Sequence, residues 1–402
     1  MKEDKGLKPI PSDVEVSQSQ NAVPRKQIFF PFPGDSIGGS LISATLTLQA
    51  LQNSGRFDVR VILHNEGRVA AWLTNKGISF EILPNCPIYD AGCSKLRRLS
   101  DLFISRRAIQ SLIKRDKPII VHTNDIRTHI TWAISLFGTE VSQVWHQRTK
   151  WSGSTFVALL ARAAKRRLAI SKFVQNDLQV STGLDSLWVR NPLPETSEDI
   201  SDSAAIAKRS ETGPSSLQGV GLVCFVGAFN RQKRPKDFIE VVARTAPRVG
   251  QNIRWIMIGK DGDYSGKELR SFAKHKGIDD VLLVQTFTEE ISEWYAAMDI
   301  LIAPSQNEGL GRNILEAMVA RTVVIASRSG GHPELIQHGE TGFLEDVGDV
   351  PGFSDRIAEI LSDEPRRKEI GLAAHNSIKE EFDFQTITDQ IMAIYEEISN
   401  ER

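Results

Sequence analysis

Apolar positions along the chain fall into two alternating patterns. Short, nearly continuous apolar runs occupy residues 27–32, 59–63, 79–83, 119–122, 142–145, 167–170 and 187–189. A second series follows at 220–226, 253–258, 281–284, 299–303 and 323–326. Runs this short, with no polar alternation, predict strands buried on both faces, as in parallel sheets. Between them lie longer segments with apolar residues at helical spacing, among them 38–52, 95–115, 235–245, 310–320 and 384–398. Strand-like and helix-like segments in regular alternation predict an α/β fold with helices covering both sheet faces. The series breaks once. After Asn191 and Pro192 a Ser/Glu/Ala-rich stretch runs to Gln218 with little apolar periodicity. The expected division is therefore a tail over 1–25, a first domain over 26–190, a linker over 191–219, a second domain over 220–380 and a terminal helix over 381–402.

Length and composition agree with two ordinary cores. The chain has 402 residues, 41% of them hydrophobic and 25% charged; a chain this long predicts more than one domain. A formal net charge of −1 argues against a dedicated nucleic-acid binder. Three cysteines, Cys86, Cys93 and Cys224, supply no disulfide framework and no four-ligand zinc site, a usage that fits a reducing cytosol. The polar first 26 residues contain no signal-peptide-like apolar stretch and read as a disordered tail. No run reaches the roughly 18 apolar residues of a membrane span. The expected location is cytoplasmic.

The most informative stretch is Ala303 to Met318, APSQNEGLGRNILEAM. An apolar strand leads into it and a helix leads out. Glu308 and Glu316 bracket a turn containing Gly309, Leu310 and Gly311. Eight residues of helix rise about 12 Å, roughly the reach of a nucleotide sugar from ribose to hexose. The N–H groups of the helix start would lie between the two carboxylates, where a diphosphate would sit. Glycines there let a ligand approach the backbone. One carboxylate would then accept hydrogen bonds from sugar hydroxyls and the other from ribose hydroxyls. The same residues also suit a surface helix with two solvated glutamates.

The pattern PS-x2-EG-x6-EAM, with Gly330-Gly331-x-x-Glu334 and Gly339-x-x-Gly342-Phe-Leu after it, resembles the donor-site signature of the retaining, nucleotide-sugar-dependent glycosyltransferases of family 4. The resemblance extends from Phe29 to about Tyr395. It implies the GT-B fold: two Rossmann-like, doubly wound parallel-sheet domains facing a cleft, with a C-terminal helix crossing back to the first. It also implies roles. Glu308 would orient the sugar and Glu316 the ribose. Lys233, in GAFNRQKRP (227–235), would face the diphosphate, with Arg231 nearby. His146, in VWHQRTKW (144–151), would contact the donor sugar. Gly38 and Gly39, in PGDSIGGS, would face donor diphosphate and acceptor, and the loop of Glu334 would lie near the nucleotide, although Glu334 also suits a cap on helix N–H groups. The base would sit against 259–263 and 287–290. Two positions depart from the family pattern: Ala228 stands where an arginine is usual, leaving Arg231 or Arg312 to supply its charge, and Arg321 stands where a glycine is usual.

The reading is a retaining hexosyltransferase using a UDP- or GDP-linked sugar, without a metal or other cofactor, on a carbohydrate or lipid-linked acceptor of cell-envelope polysaccharide, lipopolysaccharide or glycolipid synthesis. The alternatives are a GT-B-fold epimerase or phosphorylase, and a non-catalytic nucleotide-sugar-binding subunit. Basic clusters at 97–98, 106–107, 114–115 and 165–167 add a further expectation. The helix over 95–115 mixes cations with Leu96, Leu99, Leu102, Phe103, Ile109 and Leu112, a composition that suits either an anionic membrane surface or a core-facing stripe with a solvated rim. Arg148 and Lys150 are weaker candidates for an acceptor phosphate.

Overall fold

A computed structural model describes residues 25–193, 221–286 and 291–401. The expected tail but for residue 25, and all of the expected linker but 191–193, lie outside them, as does 287–290.

Two all-parallel sheets organise the chain. The first contains β1 (Lys26–Phe32), β2 (Phe57–Leu63), β3 (Phe80–Ile82), β4 (Ile120–Thr123), β5 (Ser142–Gln147), β6 (Arg166–Ala169) and β7 (Leu187–Trp188), in spatial order β3-β2-β1-β4-β5-β6-β7. The second contains β8 (Gly221–Val226), β9 (Ile253–Gly259), β10 (Leu282–Thr286), β11 (Ile300–Ala303), β12 (Val323–Ser327) and β13 (Phe343–Glu345), in order β10-β9-β8-β11-β12-β13. Both are Rossmann-like, and in both the strand order reverses between the first and fourth strands. A crevice opens at such a reversal, outside the carboxyl ends of the strands.

The helices of the first half are α1 (Gly39–Asn53), α2 (Arg68–Asn75), α3 (Lys95–Asp116), α4 (Ile126–Leu136), α5 (Thr155–Ala163) and α6 (Lys172–Thr182). Those of the second are α7 (Pro235–Val249), α8 (Gly266–His275), α9 (Ile291–Ala297), α10 (Arg312–Val319), α11 (Val350–Ser362), α12 (Glu364–Glu381) and α13 (Phe384–Asn400). The glutamate-bearing helix is shorter than its apolar pattern predicts. It begins at Arg312, because Gly311 takes a left-handed backbone (φ 105°) as its N-cap, and a helix needs right-handed residues.

Helix α13 does cross back to the first domain. Ile387, Ile391, Ile394 and Ile398 recur at spacings of four and three, forming one buried face. Tyr395 stacks edge-on against Phe57, with ring centroids 5.7 Å apart. Gln390 donates to the carbonyl of Trp188 at 3.0 Å, and Lys165 pairs with Glu401 at 2.6 Å. Of the cysteines, Cys86 and Cys224 are buried, and Cys93 donates to Asp90 at 3.3 Å.

Arg321 keeps the left-handed conformation that a glycine would favour (φ 62°). Helix α12 locks it there: a Cβ on Gly371 would come within 2.2 Å of the Arg321 carbonyl oxygen. A left-handed non-glycine residue carries roughly 1 kcal/mol of strain. Arg321→Gly is therefore expected to raise stability by about 0.5–1 kcal/mol, offset in part by the looser unfolded chain. Denaturant unfolding measures it.

Candidate functional site

The loops after β8, β11 and β12 converge at one end of the second sheet. Glu308 follows β11. Lys233 follows β8, its stem laid across Gly227, where a Cβ would come within 3.4 Å of it. The Lys233 ammonium and the Glu308 carboxylate form an ion pair whose side chains are only 17% and 15% exposed. The other Glu308 oxygen lies 3.4 Å from Nε2 of His332, whose Nδ1 lies 3.0 Å from the Ser327 carbonyl oxygen. Burial opposes the charge on Glu308. Lys233 and His332 outweigh it, and the carboxyl is held well below its usual range.

Backbone packing fixes where Glu308 stands. The Gly331 N–H donates to the Glu308 carbonyl at 2.9 Å, and a Cβ on Gly330 would come within 2.2 Å of that oxygen. The Gly-Gly pair is thus a close approach to the Glu308 backbone. Gly311 is needed as well, for its left-handed conformation. The Leu310 side chain is buried in the core, so only its backbone is left to face a ligand.

Glu316 stands one helical turn beyond Arg312 and accepts from its Nε at 2.7 Å. Arg312 Nη1 reaches the first domain and donates to Ser43 Oγ at 2.9 Å. Gly39 lies against the Arg312 side chain, 3.6 Å from where its Cβ would be. Gly38 is the N-cap of α1, so the β1–α1 turn does face the glutamate helix. Of the two arginines considered for the charge missing at Ala228, Arg312 is in place beside Glu316. The side chain of Arg231 is exposed, and its backbone N–H donates to Asp263 at 2.7 Å.

Further bonds join the two domains here. Lys260 donates to the Ile37 carbonyl at 2.7 Å, and Ser171 Oγ donates to the Gly309 carbonyl at 2.6 Å. Glu334, expected near the nucleotide, has both carboxylate oxygens on the start of α6, accepting from the N–H groups of Lys172 (2.7 Å) and Phe173 (2.6 Å). A carboxylate is favourable there because those N–H groups have no partner within the helix. In this structure Glu334 is a cap that ties the second domain to the first.

His146 ends β5 but is not open to solvent. It is 1% exposed, and its Nδ1 lies 3.1 Å from His122 Nε2 and 3.3 Å from Arg148 Nη2. Arg148 is itself 5% exposed. Its Nε donates to Asn124 at 2.8 Å and its Nη1 to Asn191 at 2.5 Å. Burial, followed by the nearby charge of Arg312, brings the Arg148 guanidinium down to about 9. Asp125 caps α4, as its position predicts, whereas Asn124 serves Arg148. Two small cavities, about 160 and 70 Å³, lie beside this cluster in the first domain. Both are lined by Ser40, Asn124 and Asp125; the larger adds Gly38, Gly39 and Arg127, and the smaller adds Gln147 and Arg148.

Residues 214–377 match the model of the glycosyl transferases group 1 family. That match spans most of the second domain. N-acetyl-alpha-D-glucosaminyl L-malate synthase of Bacillus anthracis is 29% identical over 177 residues, 44% of this chain and 45% of that protein. D-inositol 3-phosphate glycosyltransferase of Corynebacterium efficiens is 32% identical over 181 residues, 44% and 42% of the two chains. The chain thus matches about half the length of these curated relatives. Over nearly its whole length it shares its fold with Anabaena HepE, solved with UDP and glucose: TM-score 0.79, 21% identity, 93% of this chain and 100% of that one. The architecture is GT-B, as the motifs imply.

Sequence reasoning did not find His122, Asn191, His332, Ser43 or Tyr395 as members of the site. His332 had a signal, since it sits inside the Gly-Gly-His-Pro-Glu turn. Tyr395 had none; on α13 it reads as one more core residue.

Proposed function

We propose that this chain is a retaining glycosyltransferase that moves a hexosyl unit from a nucleotide sugar to an acceptor of cell-envelope polysaccharide, lipopolysaccharide or glycolipid synthesis. The observation that carries this reading is the pair of carboxylate–cation couples, Glu308 with Lys233 and Glu316 with Arg312, at the two ends of one glycine turn in a GT-B cleft. In it, Glu316 holds the ribose and Glu308 the sugar. Lys233 and Arg312 turn toward the diphosphate and stabilise its charge as it leaves, so the reading requires no metal or other cofactor. The bond between the anomeric carbon and the diphosphate oxygen breaks through an oxocarbenium-like state. The acceptor oxygen bonds to the same face and passes its proton to the departing diphosphate oxygen, and no protein nucleophile is assigned. The interdomain bonds exclude water from the reacting atoms and align them. The transferase names of the relatives favour this reading over an epimerase, a phosphorylase or a non-catalytic subunit. The HepE complexes favour UDP over GDP.

Calorimetric titration with UDP, GDP and ADP, followed by a hydrolysis assay on the matching nucleotide sugars, tests the reading. Saturable binding of UDP, with slow release of sugar from one UDP-sugar, is expected. Binding of none of the three would sink it.

The enzyme is proposed to act in the cytoplasm, at the inner face of the membrane. Helix α3 supports this. Its C-terminal half buries Ile109, Leu112 and Ile113, while Leu96, Leu99 and Phe103 are 82%, 67% and 55% exposed. Those three share one helical face, flanked by Arg97 and by Arg107, which lies over the Phe103 ring at 4.4 Å. No described helix is long and apolar enough to cross a membrane. Flotation with anionic vesicles but not neutral ones is expected, and Leu99→Glu/Phe103→Glu should abolish it. Equal behaviour on both vesicle types would exclude this surface.

A further inference from the structure

The hydrogen bonds around His146 have only one self-consistent direction. An arginine side chain donates and never accepts. Nη2 of Arg148 lies 3.3 Å from His146 Nδ1, so that nitrogen is the acceptor and carries no proton. His122 Nε2, at 3.1 Å from the same nitrogen, is then the protonated partner. A neutral His122 ring has its other nitrogen bare, and Nδ1 accepts from the hydroxyl of Tyr395 on α13. The chain runs from Tyr395 O–H to His122, and from His122 Nε2–H to His146. What remains on a neutral His146 is an Nε2–H. That nitrogen is buried and has no partner among the described residues. Burial holds all three of the clustered histidines, His122, His129 and His146, well below the usual imidazole range, with the charge of Arg148 next in effect on His122, His129 and His146.

We propose that Arg148 is a positioning residue that locks His146 in the Nε2–H form, so that the histidine which the family resemblance sets against the donor sugar meets it as a hydrogen-bond donor. This rests on the transferase reading above. A buried N–H without a partner is costly, and a ligand oxygen removes that cost on binding. The backbone next to it is already at the domain boundary, since a Cβ on Gly309 would come within 2.5 Å of the Arg148 carbonyl oxygen. In that reading Glu308 accepts from sugar hydroxyls and Glu316 from ribose hydroxyls, and His146 supplies the complementary donor.

Long-range proton–nitrogen NMR of the full chain labelled at histidine nitrogen tests this, with His146→Gln to assign the signal. His146 is expected as a neutral ring protonated at Nε2 from about pH 8 to pH 5, the window in which an ordinary imidazole titrates. Tyr395→Phe keeps the packed ring and should leave His146 as it is. It should move only the His122 Nδ1 signal, toward a nitrogen with no hydrogen bond. Arg148→Met should give His146 in both neutral forms and lower kcat/KM about tenfold, the effect of one misdirected hydrogen bond. Arg148→Gln, whose amide can still donate, should restore part of that loss. Should Arg148→Met fail to fold, the unmodified chain and Tyr395→Phe still decide. His146 protonated at Nδ1, or titrating near pH 6.5, overturns the proposal. The spectra need no turnover: if they are as expected but no nucleotide binds, the transferase reading falls and the Arg148 lock stands.

Discussion

Lys233→Ala is expected to lower stability by about 3 kcal/mol at pH 7 and to slow sugar transfer about 10²–10³-fold. The first effect follows because removing one partner of a buried ion pair strands the other charge, and Glu308 is 15% exposed. The second follows because Lys233 is the cation placed where the leaving diphosphate gathers charge. The stability loss has a pH signature. With Lys233 present, the Glu308 carboxyl is held below its usual range of about 4.3. Its contribution is complete above that value and is lost as pH falls toward the lowered one. Without Lys233, burial prevails and the carboxyl moves upward. The variant is then penalised at neutral pH, and the penalty fades as acid protonates the group. The gap between the two proteins should therefore narrow from pH 7 to about pH 4. Melting curves across that range measure it. Glu308→Gln in the Lys233→Ala background should recover most of the stability and none of the activity. A gap that stays constant would show that His332 alone supports the Glu308 charge.

The second large effect is expected at the other end of the turn. Glu316→Ala should weaken nucleotide diphosphate binding about 30-fold, the loss of about 2 kcal/mol for charge-assisted hydrogen bonds to ribose. Some stability should be lost as well, because Glu316, 25% exposed at the cleft, also meets the buried Tyr295 hydroxyl. Its partner Arg312 still has Ser43. Calorimetry on the variant and the unmodified chain reads the ratio. Unchanged affinity would remove Glu316 from the ribose and leave it as a support for Arg312.

Much of the architecture was legible in local pattern. Continuous apolar runs separated by helical spacing specify buried parallel strands, because only covered sheets accept apolar residues on both faces. The Glu-x7-Glu turn was equally local: both carboxylates and the glycines between them lie within nine consecutive residues, and the helix that carries the second carboxylate starts among them. Gly311 shows the limit of periodicity. The apolar pattern extends the helix back to Leu310, yet the left-handed glycine delays its start to Arg312.

What the sequence could not assign were partners distant along the chain. Lys233 and Glu308 are 75 residues apart and meet because β8 and β11 are neighbours in the second sheet. Glu334 suited a nucleotide loop or a helix cap by position, but only the fold shows that its carboxylate reaches 162 residues back to cap α6. Arg312 reaches 269 residues back to Ser43, and Tyr395 reaches 273 back to His122. By itself the sequence determined the two sheets, the glycine turns and the two carboxylates, because periodicity, backbone freedom and short-range spacing are properties of neighbouring residues. Only the tertiary structure decided which cation serves which carboxylate, and that Arg148 sets the His146 ring, because hydrogen-bond direction and buried charge depend on groups brought together by strand order and domain packing.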